Sequence, residues 1–319
     1  MNYRSDIGFI QERLDAYQAR TAKEEDRALR EILQEYILAA LSRTDYFTKA
    51  AFHGGTHLRI FHGLLRFSED LDFALQEPNP SFELKPYLDK AAEELSAIGL
   101  KVEVKDKSKA DLTVKKGFLK DDSLIRLVQL QFPSLLGSRQ TPGKILIKVE
   151  VDSNPPAGAA YQSCDLSFPF TASVTNFDLP SSFAGKMHAL LCREYVKGRD
   201  WYDFIWYVGR KVKLNHRFLS AALDQQGRWA GRHVETSDAW VREELKKVIA
   251  ALDFEAAKED VANFVYAGEL GHLELIERVE QTVARHHDGV VGQEGTGILH
   301  ERLGHRVEGI VLRAEGELR

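Results

Sequence analysis

The segment RFSEDLDF, residues 66–73, repeats its apolar side chains every second position, and a period of two fixes it as a strand with one face in a core. The alternation extends over residues 64–75, and Pro78 and Pro80 end it. In such a strand Phe67, Leu71 and Phe73 share one side with Glu69, whereas Ser68, Asp70 and Asp72 share the other. Asp70 and Asp72 then stand about 7 Å apart on an open face, close enough to ligate hard cations. Two such charges repel unless something positive lies between them. A divalent ion meets that need, and Mg2+ favours a few carboxylates plus phosphate oxygens over a complete protein cage. The competing explanation is a solvated strand edge whose acids discourage aggregation.

The rest of the chain says what that strand belongs to. Thr21 and Glu24 form a capping-box pattern ahead of Leu29, Ile32, Leu33, Tyr36, Ile37, Ala40 and Leu41 at helical spacing. PYLDKAAEELSAIGL reads as a helix stopped by Gly99, and LKVEVKD, SLIRLVQLQF and GKILIKVEVD as three strands. Because no helix separates the later strands, the sheet is expected to be mixed or antiparallel rather than doubly wound. From Pro180 the pattern turns helical: two helices joined near Lys197 and Gly198, then amphipathic spacing of Val241, Leu245, Val248 and Leu252, with helical character to about residue 287. The expected class is therefore α+β, with a mixed-sheet lobe over residues 1–178, a helical lobe over 179–289 and a tail of irregular pattern over 290–319. A length of 319 residues, 44% apolar, suits two modest cores. A net charge of −5 excludes whole-molecule attraction to nucleic acid, so any such contact needs a local basic surface. Cys164 and Cys192 make neither a disulfide framework nor a zinc site. No apolar signal core opens the sequence and no run is long enough to span a membrane, so a cytoplasmic setting without a membrane partner is expected.

Further residues fit phosphoryl chemistry. Gly54 and Gly55 allow backbone N–H groups to approach a phosphate, and Thr56 adds a hydroxyl, although a Gly-Gly pair is equally an ordinary turn. Glu150 interrupts the apolar run ILIKVEVD and can supply a third carboxylate, with Asp152 as the alternate; an ion pair to Lys148 is the plainer reading. Lys186 emerges beside a packed helix face and can reach phosphates, or simply be solvated. Asp200 and Asp203 lie at i, i+3 beside aromatic residues, where a pair with Arg199 or Lys197 also accounts for them. Trp201, Trp206 and Tyr207 read as core, and His57, His62 and His188 as packing or phosphate-side residues rather than a zinc set.

Taken together, HGGTHL (53–58), RFSEDLDF (66–73), IKVEVD (147–152), FAGKMHALLCR (183–193) and KGRDWYDFIWYV (197–208) resemble the AbiEii/AbiGii-type nucleotidyltransferase toxins of the DNA polymerase β-like nucleotidyltransferase superfamily. The resemblance covers about residues 20–210. It implies a sheet lobe and a helical lobe with a nucleoside triphosphate between them and Mg2+ as cofactor. It assigns Gly54, Gly55, Thr56, Arg66 and Ser68 to the nucleotide, and Asp70, Asp72 and Glu150 to the metal. Lys186 becomes the phosphate-binding lysine and Asp200 or Asp203 the acid downstream of it. His53 stands where the family often carries a lysine. The implied function is a toxin of a toxin-antitoxin or phage-defence pair, inhibited by a cognate antitoxin protein, that transfers a nucleoside monophosphate to the 3′ acceptor end of tRNA. Two other readings share these residues: transfer to a small molecule or protein, and a catalytically silent nucleotide-binding module. A continuous basic face from Arg193, Lys197, Arg199, Arg210, Lys211 and Lys213 would favour tRNA over a small acceptor.

Overall fold

Two helices open the chain, α1 (Ile7–Ala16) and α2 (Ala22–Ser42). At α2 the capping box forms as the sequence implies: the Thr21 side chain accepts from the Glu24 N–H while Glu24 reaches back to the Thr21 N–H. Its apolar stripe is wide, with Ile32, Leu33, Ile37, Leu38 and Leu41 fully buried, so other elements must cover it. The computed structural model describes residues 7–98, 100–106, 123–131 and 144–265. Within it the chain divides into two compact units, Met1–Pro155 with Tyr161–Phe177, and Pro156–Ala160 with Asp178–Arg319.

In the first unit β1 (Ala50–His53) leads directly into α3 (Gly54–His62), followed by β2 (Asp70–Leu75), α4 (Lys85–Ala97), β3 (Lys101–Asp106), β4 (Ser123–Gln131), β5 (Lys144–Asp152), β6 (Tyr161–Leu166) and β7 (Ala172–Phe177). The seven strands form one sheet in the order β3-β4-β5-β2-β1-β7-β6. It is mixed, as expected: β2 runs antiparallel to β1 and parallel to β5, and β7 runs parallel to β1. Leu71, Phe73, Leu75, Ile145, Ile147, Val149 and Val151 enter the same core cluster as α2, which leaves the alternate residues of β2 and β5 on the opposite face.

The strand is shorter than its alternation. Residues 64–69 do not pair, because side chains take up their carbonyls: Arg59 donates to those of Leu64 and Leu65, Arg66 to that of Phe67 at 3.0 Å, and the buried Gln34 to that of Ser68 at 3.2 Å. With these groups satisfied, the segment needs no ladder. In this unit α1, β1, α3, β6 and β7 escape the sequence pattern. The strands among them are only four to six residues long, too short for a period to stand out.

One buried group tunes this unit to pH. Glu35 on α2 is almost covered and faces Arg13 of α1 at 3.2 Å. Burial pushes its carboxyl up to about 7, against the pull of Arg13 and with the help of Glu31. A raised carboxyl leaves stability intact below the ordinary carboxylate range and loses it as pH rises through 7. Glu35→Gln, which stays neutral, is expected to be more stable than the parent by about 2 kcal/mol at pH 8 and equal to it at pH 4, as read by urea unfolding at both.

The second unit is helical: α5 (Leu179–Cys192), α6 (Gly198–Gly209), α7 (His216–Gln225), α8 (Asp238–Ala250) and α9 (Phe254–Ala262). Asp178, Asn215, Ser237 and Asp253 cap four of these, each accepting from a backbone N–H in the first turn. Phe183 of α5 stacks on Tyr207 of α6 with ring centroids 4.7 Å apart. Gly198 opens α6 where any Cβ would run into the Ala257 backbone of α9, so the two helices meet there without a side chain between them. The helical pattern expected to about residue 287 is described as far as α9; the remainder, and residues 290–319, lie outside the described residues. α7 was not expected, since its Asn215 cap and the pair of apolar turns behind it make a short signal.

Candidate active site

Glycine is required where β1 passes into α3. Gly54 has φ +83°, a left-handed conformation, and a Cβ there would fall on the Asp72 carboxylate. What the sequence presents as a turn is thus a helix N-terminus, which the side chain of its N-cap residue, His53, does not cap. At Gly55 a Cβ would lie 2.5 Å from Arg66 Nη2 and 2.7 Å from Ser68 Oγ. Arg66 and Ser68, both buried, therefore fill the space beneath the first turn of α3, where the guanidinium adds positive charge to the helix end. Thr56 departs from its expected part. Its side chain is fully buried and its hydroxyl donates to the Asp70 carbonyl, so it ties α3 to β2 and offers a ligand only its backbone N–H. Gly54→Ala is expected to cost about 1–2 kcal/mol in backbone strain and to displace the Asp72 carboxylate. The check is thermal melting beside a transfer assay, with activity falling further than the melting shift explains.

The acids meet by register. His53 of β1, Asp72 of β2 and Glu150 of β5 are lateral partners in three adjacent strands, and Asp70 is the partner of Lys148. All five residues therefore share the face opposite the α2 core. His53 rests its ring on Phe177, 5.0 Å between centroids. Glu150 is engaged within this group, its Oε1 lying 2.8 Å from Lys148 Nζ, and both side chains are about one-third exposed. Burial alone would lower the Lys148 pKa, but Glu150, Asp70 and Asp72 outweigh it and raise it. Among the described residues no three His, Cys, Asp or Glu side chains gather into a metal cluster, for Glu150 is drawn to the ammonium. The donor set nevertheless suits a hard divalent ion: two carboxylates on one strand with a third beside them.

In the second unit, Lys186 of α5 stands 2.8 Å from Asp200 Oδ1 and 2.9 Å from Asp203 Oδ2 of α6, and Arg193 Nε is 3.1 Å from Asp200 Oδ2. The sequence left open whether Asp200 or Asp203 is the functional acid; both lie against Lys186. Of the two cations in the plainer reading, Lys197 does act on Asp200, whereas Arg199 faces Asp260 and Phe264. Burial pushes the Asp200 carboxyl up, yet Lys186, Lys197 and Arg193 overcome it and hold it at about 2. Lys197 is held below its usual value, first by burial and then by Arg199, Lys186 and Arg193, against the attraction of Asp200. Arg193 and Lys197 are thus parts of the cluster, Lys197 as the plainer reading of these acids allowed and Arg193 in addition. Its signal was the two-turn spacing of Lys186 and Arg193 along one helix face.

The basic face that would favour tRNA is correspondingly interrupted. Arg193 and Arg199 turn to carboxylates and Lys197 is half-buried, while Arg210, Lys211 and Lys213 are exposed and Arg210 lies over the Trp206 ring. Trp201 and Tyr207 are core, as expected. The fully buried His57 packs against His62, Nε2 to Nε2 3.1 Å, and burial holds it well below the usual histidine pKa. Both cysteines are free.

Against known proteins, the family described as "Nucleotidyl transferase AbiEii toxin, Type IV TA system" matches residues 36–286. The chain belongs to the AbiEii family. As an AbiEii protein it is a nucleotidyltransferase toxin of a type IV toxin-antitoxin system, a class that takes a nucleoside triphosphate, generally uses a divalent metal and has an antitoxin partner. Solved structures similar to it include MenT4, a nucleotidyltransferase toxin of Mycobacterium tuberculosis H37Rv, at 16% identity and TM-score 0.48, covering 86% of this chain and 98% of that one. JHP933 of Helicobacter pylori follows at 14% identity and TM-score 0.44, covering 92% and 98%. A nucleotidyltransferase assigned to H. pylori matches at 17% and 0.43, covering 88% and 96%. Comparison with curated proteins gives no match. No helix among the described residues of this AbiEii chain is long and apolar enough to cross a membrane.

Proposed function

We propose that this AbiEii protein transfers a nucleoside monophosphate from a nucleoside triphosphate to a hydroxyl at the 3′ acceptor end of tRNA, with Mg2+, in the cytoplasm, until a cognate antitoxin stops it. The supporting observation is the register that sets Asp72 beside Glu150 with Asp70 two residues along the same face, next to the first turn of α3. In this reading the acceptor hydroxyl attacks the α-phosphorus and pyrophosphate leaves. The N–H groups of Gly54, Gly55 and Thr56 hold phosphate oxygens, with Arg66 and Ser68 supporting that turn from below. Asp70, Asp72 and Glu150 would hold Mg2+, which neutralises phosphate charge and acidifies the attacking hydroxyl. Lys186, whose ammonium Asp200 and Asp203 hold, keeps the part of phosphate-binding lysine that the family resemblance gives it. The work of the chain is positioning and charge neutralisation rather than covalent catalysis.

The interrupted basic face favours a second reading, in which the same chemistry serves a small molecule or a protein side chain. Mass spectrometry of cellular RNA after brief expression separates the two. Nucleotides added at tRNA 3′ ends, absent with Asp72→Ala, are the expected result. Unmodified RNA alongside growth arrest would move the acceptor to the second class.

A further inference from the structure

Four charges on β2 and β5 form a lattice two strands wide and two positions long: Asp70 beside Lys148, and Asp72 beside Glu150. Lateral neighbours in a sheet are about 5 Å apart, and like charges directly across from one another are unfavourable. The Lys148 ammonium relieves that repulsion by bonding Glu150 at 2.8 Å, leaving the lattice with three carboxylates and one cation, a net −2. A divalent ion entering the same face meets this ammonium as a rival. Lys148 repels the ion and holds the carboxylate the ion needs as its third ligand.

We infer that Lys148 is a resident counter-cation that keeps divalent metal weakly bound until a nucleotide arrives. This deepens the nucleotidyltransferase reading and rests on its assignment of metal to Asp70, Asp72 and Glu150. Triphosphate oxygens give the long, flexible lysine an alternative partner, so Glu150 is released to the metal only when the substrate's own charge is present. Metal and nucleotide then bind with positive coupling, each raising the affinity of the other by the same factor. An AbiEii protein built this way does not sequester metal while it lacks substrate.

The test is Mn2+ binding to the full chain, followed by electron paramagnetic resonance with and without a non-hydrolysable nucleoside triphosphate. Because the lattice loses the positive charge that holds Glu150, Lys148→Met is expected to bind Mn2+ at least ten-fold tighter than the parent without nucleotide. The added gain on nucleotide binding should shrink accordingly. Lys148→Arg keeps the charge and is expected to keep the parent's weak binding and strong nucleotide dependence, and melting curves of both variants check that the fold is retained. Unchanged or weaker Mn2+ binding by folded Lys148→Met, with binding still abolished by Asp72→Asn, would overturn the inference and leave the metal assignment standing. Mn2+ binding indifferent to both Asp70→Asn and Asp72→Asn would remove the metal assignment and the inference with it.

Discussion

Asp72→Ala is expected to lower nucleotidyl transfer by about a thousand-fold or more while moving the melting temperature by only a few degrees. The asymmetry follows from where the residue sits. Asp72 lies between His53 and Glu150 on the face away from the α2 core, so its side chain takes no part in that core's packing. Removing it leaves the core intact but deletes the group around which the other parts of the proposed site are arranged. Label transfer from nucleoside triphosphates to total tRNA, measured beside a melting curve, checks both halves. Transfer equal to the parent's would show that Asp72 does not take part.

Lys186→Met should give the opposite pattern, a stability effect at least as large as the catalytic one. Asp200 and Asp203 are almost wholly buried, and Lys186 is within 2.9 Å of each. Deleting one partner of a buried ionic cluster leaves charge uncompensated and typically costs about 3–5 kcal/mol, here tempered because Arg193 stays on Asp200. Sign and window follow from Asp200. Its depressed pKa, about 2, contributes stability above the ordinary carboxylate range that disappears as pH falls through the folded value. The gap between parent and variant is therefore expected to be widest above about pH 4 and to narrow towards pH 2, as chemical unfolding across that range will read. A gap independent of pH would mean that Lys186 stabilises by packing alone.

The sequence makes the core legible and the site partly so, for one reason: burial writes a period, whereas lateral pairing does not. The two-residue period of LDFAL and of ILIKVEV marks which side chains enter the core, and so which acids face outward. That Asp72 lies beside Glu150, and Asp70 beside Lys148, depends on strand order and register across 78 residues of chain, which no local pattern encodes. Thr56 misled because its hydroxyl is claimed by a carbonyl fourteen residues on, and residues 64–69 misled because arginine and glutamine side chains replaced a neighbouring strand. In the helical unit the acids of RDWYD were visible, but that one lysine holds both is a tertiary fact.

The parallel pairing of Phe52 with Asn176 and of Asp72 with Glu150 bears on how the protein comes into being. A ribosome that has delivered Asp70 and Asp72 has still to make β5 and β7 before the central strands gain their neighbours, so every interrupted translation product that ends before Glu150 lacks the third acid. The nascent polypeptide therefore lacks the proposed metal-binding face until β5 has been made.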